Sequence, residues 1–260
     1  MPPSTKPVIF AGAGPGDPEL ITVKGQQALK SADVVIYAGS LVPEVVLKWT
    51  QPGTELINSA SLHLEEIVTA MEDGYRAGKQ VVRLHSGDPS LYGAIAEQMT
   101  ALKKRSIPYT LIPGVTAAFA AAAAMGIEYT LPEVSQTLIL TRMAGRTPVP
   151  DSEALASLAA HKTSMAIYLS ITLVEEVAEI LRKAYGDHAA CAIAFRVSQP
   201  EEKIIFTTLD KLAKRVVAEK ITHQALIIVG KALDVCQTEL KQKSKLYDRT
   251  FAHAFRETDK

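Results

Sequence analysis

The sequence predicts an α/β protein of two α/β domains, with a mainly parallel sheet in the N-terminal domain and a mixed sheet in the C-terminal one. Three observations carry this. Short Val- and Ile-rich runs, continuous rather than alternating with polar residues, are separated by helical patterns, as in parallel strands covered on both faces. Gly- and Pro-rich loops follow several of those runs, at Gly12 to Pro18, Ser86 to Ser90 and Pro113 to Thr116. Late in the chain, two strand-like runs are joined only by Arg196 to Glu202, a link too short for a parallel crossover.

The elements follow in order. Val8 to Ala11 reads as a strand, followed by a helix from about Leu20 to Ser31. Val34 to Tyr37 is a strand, a helix starts near Pro43, and Thr54 to Asn58 is another strand. Leu64 to Ala77 places Leu64, Ile67, Val68, Met71 and Tyr75 on one helical face, and Gly78 ends it. Gln80 to Leu84 and Tyr109 to Ile112 are strands on either side of a further helix. The domain break is expected between Pro113 and Glu133. Beyond it come strands at Gln136 to Thr141, Ser164 to Leu169, Ala190 to Phe195, Lys203 to Thr207 and Ala225 to Val229. Asp151 is expected to cap a helix through Ala160, with further helices at Leu173 to Tyr185 and near Leu209 to Val217. From Asp234 the chain turns polar, with Leu246, Tyr247, Phe251 and Phe255 interspersed.

The composition bounds the function. The 260 residues are 47% hydrophobic and 22% charged, enough for a packed core. Lys+Arg and Asp+Glu balance at 28 each, whereas a dedicated nucleic-acid binder carries a basic excess. A small-molecule substrate is the better expectation. The two cysteines, Cys191 and Cys236, form no CxxC pair and are expected as free thiols in a reducing cytoplasm. Met1 to Pro7 has no signal-peptide core, and the apolar run Val115 to Ile127 is shorter than the about 20 residues a membrane span needs.

The loops exclude several chemistries. A dinucleotide fingerprint needs glycine where Asp17 stands, and the second strand ends in Tyr37-Ala38-Gly39 with no ribose-binding acid. No Gly-Lys-Ser/Thr follows for a P-loop, and no GxSxG elbow is present. The six histidines show no metal-ligand spacing, so no metal is expected; only His85 lies in a candidate site loop. If the first sheet is parallel, its Gly/Pro loops converge on the carboxyl edge, where ligands bind in open α/β sheets.

VIFAGAGPGD (Val8 to Asp17), HSGDPSLYG (His85 to Gly93), IPGVTAAFAAAA (Ile112 to Ala123), TRMAGRTP (Thr141 to Pro148), YLS (Tyr168 to Ser170) and HQALIIVGKAL (His223 to Leu233) together resemble the tetrapyrrole methylases, the class III S-adenosyl-L-methionine-dependent methyltransferases. VIYAGSLVP (Val35 to Pro43), NSASLHLEE (Asn58 to Glu66), FRVSQPEE (Phe195 to Glu202) and SKLYD (Ser244 to Asp248) most resemble the branch that methylates C11 of precorrin-4 or cobalt-precorrin-4 in cobalamin (corrin) biosynthesis. The uroporphyrinogen III branch, which carries an acid just after the tyrosine of the second strand, is less similar.

The resemblance implies halves at 7–115 and 116–234, a polar tail at 235–260, a ligand cleft between the halves, and a homodimer. It implies S-adenosyl-L-methionine contacts at Pro15, Ser86, Gly87, Asp88, Leu91, Thr116, Ala117, Leu169, Val197 and, more weakly, Ala225. Candidates for holding the carboxylates of a tetrapyrrole are Gly14, His85, Arg142, Arg146 and Arg196, with Arg83 and Lys203 behind them, arginine being suited to bidentate pairing. No catalytic residue is assigned. The rivals are another tetrapyrrole C-methyltransferase, an rRNA ribose methyltransferase, a diphthine synthase, a non-catalytic tetrapyrrole carrier and a nucleotide-binding oxidoreductase.

Overall fold

The computed structural model describes residues 6–235, 244, 250–252, 254 and 256. Most of the expected polar tail, with Cys236, Leu246, Tyr247, His253 and Phe255, lies outside the described residues. The chain divides into two compact units. The first runs to Ala120 and also takes in Arg196–Glu202; the second comprises Ala121–Phe195 and the chain from Lys203 on.

The first unit is built on strands β1 (Val8–Gly12), β2 (Val34–Tyr37), β3 (Glu55–Asn58), β4 (Val81–His85) and β5 (Tyr109–Ile112). Their order is β3-β2-β4-β1-β5, and every pairing is parallel. Helices α1 (Val23–Lys30), α2 (Leu64–Arg76) and α3 (Ile95–Lys104) supply the crossovers. Side-chain alternation along the strands divides the apolar residues between two cores. Ala11, Val35, Val82 and Leu84 pack with Ala28 and Leu29 of α1. Val8, Phe10, Val34, Ile36 and Val81 pack with Ile67, Val68 and Met71 of α2 and with Leu102 of α3. Each such fully buried aliphatic contributes roughly 1.5–3 kcal/mol.

The start of α2 shows how local chemistry sets an element. His63 Nδ1 accepts from the Glu66 amide at 3.4 Å, and Glu66 Oε2 accepts from the His63 amide at 2.9 Å. This reciprocal cap satisfies two amides that the helix leaves unpaired. At the other end Gly78 takes φ +77°, as expected of a glycine just past a helix.

Three helix boundaries differ from expectation. The helix expected from Leu20 begins at Val23, because Asp17 Oδ1 accepts from the Glu19 amide and folds Pro18–Leu20 into a 3₁₀ turn. Thr22 Oγ1 then caps α1 through the Gly25 amide at 3.1 Å. The segment after Pro43 is also 3₁₀, over Glu44–Trp49, and contains the β-branched pair Val45-Val46. Asp151 opens a 3₁₀ turn at Asp151–Glu153 rather than capping a helix.

The second unit holds β6 (Leu138–Arg142), β7 (Ser164–Tyr168), β8 (Ala190–Phe195), β9 (Lys203–Thr208) and β10 (Ala225–Val229), in the order β6-β7-β10-β8-β9. Strands β6 and β7 run parallel and the other pairs antiparallel, so this sheet is mixed as expected. The unit boundary falls within α4 (Ala117–Met125). Helices α5 (Leu155–Ala159), α6 (Val174–Tyr185) and α7 (Leu212–Ala218) contribute Leu155, Val177, Leu181 and Leu212 to a core with Met165, Ile167, Cys191, Ile193 and Ile227. A short α8 (Ala232–Val235) follows β10.

Candidate functional site

Strands β4, β1 and β5 are neighbours and parallel, so the three glycine loops leave the first sheet at one edge. There the backbones touch. The Ala13 amide donates to His85 O at 2.7 Å, and Gly14 and Gly87 exchange amide hydrogen bonds at 3.3 and 2.8 Å. A Cβ on Gly12 would stand 2.5 Å from Gly87 O and 2.6 Å from Gly114 Cα. A Cβ on Gly114 would stand 2.0 Å from Gly87 O. No Cβ fits at Gly12 or Gly114, whereas at Gly87 a Cβ would meet nothing closer than 3.7 Å and the glycine serves the φ of +62°.

Asp88 ties the loops together. Its Oδ1 accepts from the Ser90 amide at 2.8 Å and from the Ser90 hydroxyl, and Oδ2 accepts from the Gly114 amide at 2.8 Å. Partial burial pushes its pKa up, but the Ser90 and Gly114 hydrogen bonds outweigh that and hold the carboxyl below its usual range. Pro15, Thr116 and Val197 are buried, while Ser86, Gly87, Leu91 and Ala117 are half-buried. All of these belong to the first unit, as do Gly14, His85 and Arg196.

His85 is a correction. It was expected to face substrate, but its side chain is in the core, at 4% exposure and stacked on Phe10 with ring centroids 6.0 Å apart. Burial, and then the charge of Arg83, push its pKa down to about 3. A buried neutral imidazole offers no positive charge to a carboxylate. Arg83 is likewise buried and donates to Gln98 Oε1, Ser59 Oγ and Ile36 O at 3.0–3.2 Å. Burial lowers its pKa to about 10.

Leu169, Ala225, Arg142 and Arg146 belong to the second unit. Arg142 pairs with Tyr168, Ile167 with Ile227, and Ala225 with Phe195. The ends of β6, β7 and β8 therefore share one edge with the start of β10. Two non-glycine residues of this unit with positive φ fall beside that edge: Leu169 at +52° and Gln224 at +49°. Strained backbone of this kind concentrates at functional sites. Leu169 is also 63% exposed, so no burial offsets its strain.

The Arg142 guanidinium folds onto its own loop, donating to Thr147 O at 3.1 Å and Pro148 O at 2.7 Å. Arg146 is exposed. Arg196 faces Glu201 at 3.5 Å, and Lys203 faces Glu219 at 3.3 Å.

Sequence reasoning missed Ser198 and Gln199. Ser198 Oγ accepts from the Asp17 amide at 3.0 Å, and Gln199 Nε2 donates to Pro15 O at 3.3 Å. Nothing local in the sequence signals contacts that span more than 180 positions. Among the described residues no cluster of three or more His, Cys, Asp or Glu could hold a metal ion, and no helix is long and apolar enough to cross a membrane.

Comparison with known proteins gives the following. The family model described as Tetrapyrrole (Corrin/Porphyrin) Methylases matches residues 7–213. A cobalt-precorrin-4 C(11)-methyltransferase from Methanocaldococcus jannaschii is 47% identical over 99% of this chain and 98% of its own length. A solved cobalt precorrin-4 methyltransferase, described as a cobalamin biosynthetic enzyme, superposes with a TM-score of 0.85 at 46% identity, covering 87% of this chain and 95% of that one. A uroporphyrin-III C-methyl transferase from Thermus thermophilus, solved in complex with S-adenyl homocysteine, gives a TM-score of 0.71 at 28% identity, covering 88% and 94%.

Proposed function

The chain belongs to the tetrapyrrole (corrin/porphyrin) methylases, and on that premise we propose that it is an S-adenosyl-L-methionine-dependent methyltransferase acting on C11 of precorrin-4 or cobalt-precorrin-4 in cobalamin biosynthesis. The observation that carries this reading is the packing of Gly12, Gly87 and Gly114, which draws the three family loops to one sheet edge.

The residues present fit the cofactor. Among Pro15, Ser86, Gly87, Asp88, Leu91, Thr116, Ala117 and Val197 there is no Lys or Arg to repel a sulfonium, and most side chains are small. These residues, with Leu169 and Ala225, are our proposed cofactor contacts, as the family resemblance implies. When bound, S-adenosyl-L-methionine supplies an electrophilic methyl group. The protein's task is to bind, orient and exclude water. Orientation alone is worth on the order of 7–11 kcal/mol when reacting atoms are held in line.

Asp88 suits that task. A carboxylate pressed against the sulfonium would stabilise the ground state more than the transition state and slow transfer. Its oxygens instead hold the Ser90 and Gly114 amides, so Asp88 shapes the cradle, with acceptor capacity left for one further donor. Gly14, Arg142, Arg146 and Arg196 are our proposed substrate contacts. We read the protein as cytoplasmic, in keeping with its buried free Cys191, and as a homodimer, as the family resemblance implies.

The test is incubation with methyl-labelled S-adenosyl-L-methionine and precorrin-4 or its cobalt form, followed by carbon NMR of the product. Label at C11 is expected. Label at another carbon, or none, overturns the assignment.

A further inference from the structure

Between β8 and β9 the chain makes an excursion, Arg196–Glu202, that packs with the first unit although both flanking strands belong to the second. The excursion is internally braced. The Ser198 amide donates to Glu202 Oε2 at 2.6 Å, the Gln199 amide to Arg196 O at 3.0 Å, and the Glu202 amide to Gln199 O at 2.9 Å.

From this frame two side chains reach the Gly14–Asp17 loop. Ser198 Oγ accepts from the Asp17 amide and Gln199 Nε2 donates to Pro15 O. Gln199 also lies flat on Gly16, where a Cβ would stand 2.3 Å from Gln199 Cγ. On its other side the loop is held by the amide exchange between Gly14 and Gly87. The loop is thus gripped from both flanks.

The backbone of Ser198 points the same way. Its φ of +64° is a conformation that glycine adopts at lower cost than serine. The hydroxyl is what a serine adds there, and its partner is the Asp17 amide.

We propose that Ser198 and Gln199 are positioning residues for methyl transfer, fixing the Gly14–Asp17 backbone as the surface against which the tetrapyrrole is aligned. This rests on the reading of that loop as part of the transfer site. The two side chains touch neither reacting atom; they act through Pro15 and Asp17.

The experiment compares wild type with Ser198→Gly, Ser198→Asn and Gln199→Met. Ser198→Gly keeps the backbone and removes the acceptor. Ser198→Asn keeps a side-chain oxygen and tolerates the left-handed conformation. Sites are counted by calorimetric titration with S-adenosyl homocysteine, and turnover on precorrin-4 is expressed per binding site. Ser198→Gly and Gln199→Met are expected to lower kcat per occupied site, read at saturating S-adenosyl-L-methionine, about tenfold, the scale of one lost aligning hydrogen bond. Ser198→Asn is expected to restore most of kcat. A merely structural role lowers the number of sites and leaves turnover per site at the wild-type value, and that result overturns the proposal. A wild type that binds S-adenosyl homocysteine but does not methylate precorrin-4 or its cobalt form overturns the reading of the site, and the proposal with it.

Discussion

The buried His85 makes the stability of the first unit depend on pH in a way that can be isolated. Its pKa falls from 6.5 to about 3 on folding, because burial and the Arg83 charge disfavour the imidazolium. Between those values the unfolded chain binds a proton that the native state refuses. Stability therefore rises with pH through this window and is lost as pH falls from about 6.5 towards 3. The slope approaches about 1.4 kcal/mol per pH unit. Going from pH 7.5 to pH 5.0, the His85 contribution amounts to about 2 kcal/mol of lost stability. His85→Phe keeps an aromatic ring against Phe10 and removes the titration. The assay is urea unfolding at pH 7.5, 6.5 and 5.0, followed by the fluorescence of Trp49, the single tryptophan, which lies in the first unit and so reports its unfolding. The wild type should lose about 2 kcal/mol more than His85→Phe over that range, all other titrating groups being shared. Parallel pH dependences would refute the buried, neutral histidine.

Four further perturbations discriminate the parts of the site. Gly114→Ala drives a methyl group to 2.0 Å from Gly87 O and should abolish S-adenosyl homocysteine binding or soluble expression, whereas Gly78→Ala, with open space at its Cβ, should cost only roughly 1–2 kcal/mol in urea unfolding. Asp88→Ala unties Ser90 and Gly114 and should weaken S-adenosyl homocysteine at least about tenfold by calorimetry; unchanged affinity would remove Asp88 from the cradle. Arg142→Ala should weaken tetrapyrrole binding in fluorescence titration while S-adenosyl homocysteine affinity holds, and equal tetrapyrrole affinity would strike it from the substrate contacts. Burial raises the Cys191 thiol to about 12, so mass spectrometry should find it unalkylated at pH 8 in the native protein and modified once urea unfolds the second unit.

The regular elements were legible because their signals are local. The face formed by Ile67, Val68, Met71 and Tyr75 defined α2, and the short Arg196 to Glu202 link foretold the antiparallel β8–β9 pair. The glycine loops were legible as loops, but not the node they form, since a contact such as Gly114 Cα to Gly12 depends on strand order. Charged side chains show a related limit. The sequence offers Arg142 and Asp88 as ligand contacts but does not show that each is also engaged by backbone groups of the loops around it. His85 sits at the last strand position before its loop, where a shift of one residue would move the ring out of the core. Helix starts failed where Asp17 and Pro18 favour a 3₁₀ turn, a choice the 3.6-residue period does not encode.

The Arg196–Glu202 excursion bears on how the chain is made. All five strands of the first sheet leave the ribosome by Ile112, and β1, though earliest, must wait for β4 and β5 before it can take its place between them. Such delayed, distant pairings are slow to form. Even then the first unit is unfinished, because Ser198 and Gln199 emerge some eighty residues later. A nascent chain or proteolytic fragment ending at Ala120 would carry the complete parallel sheet with the Gly14–Asp17 loop held on one flank only. The first unit therefore gains the second hold on its Gly14–Asp17 loop only once the chain has been made as far as Gln199.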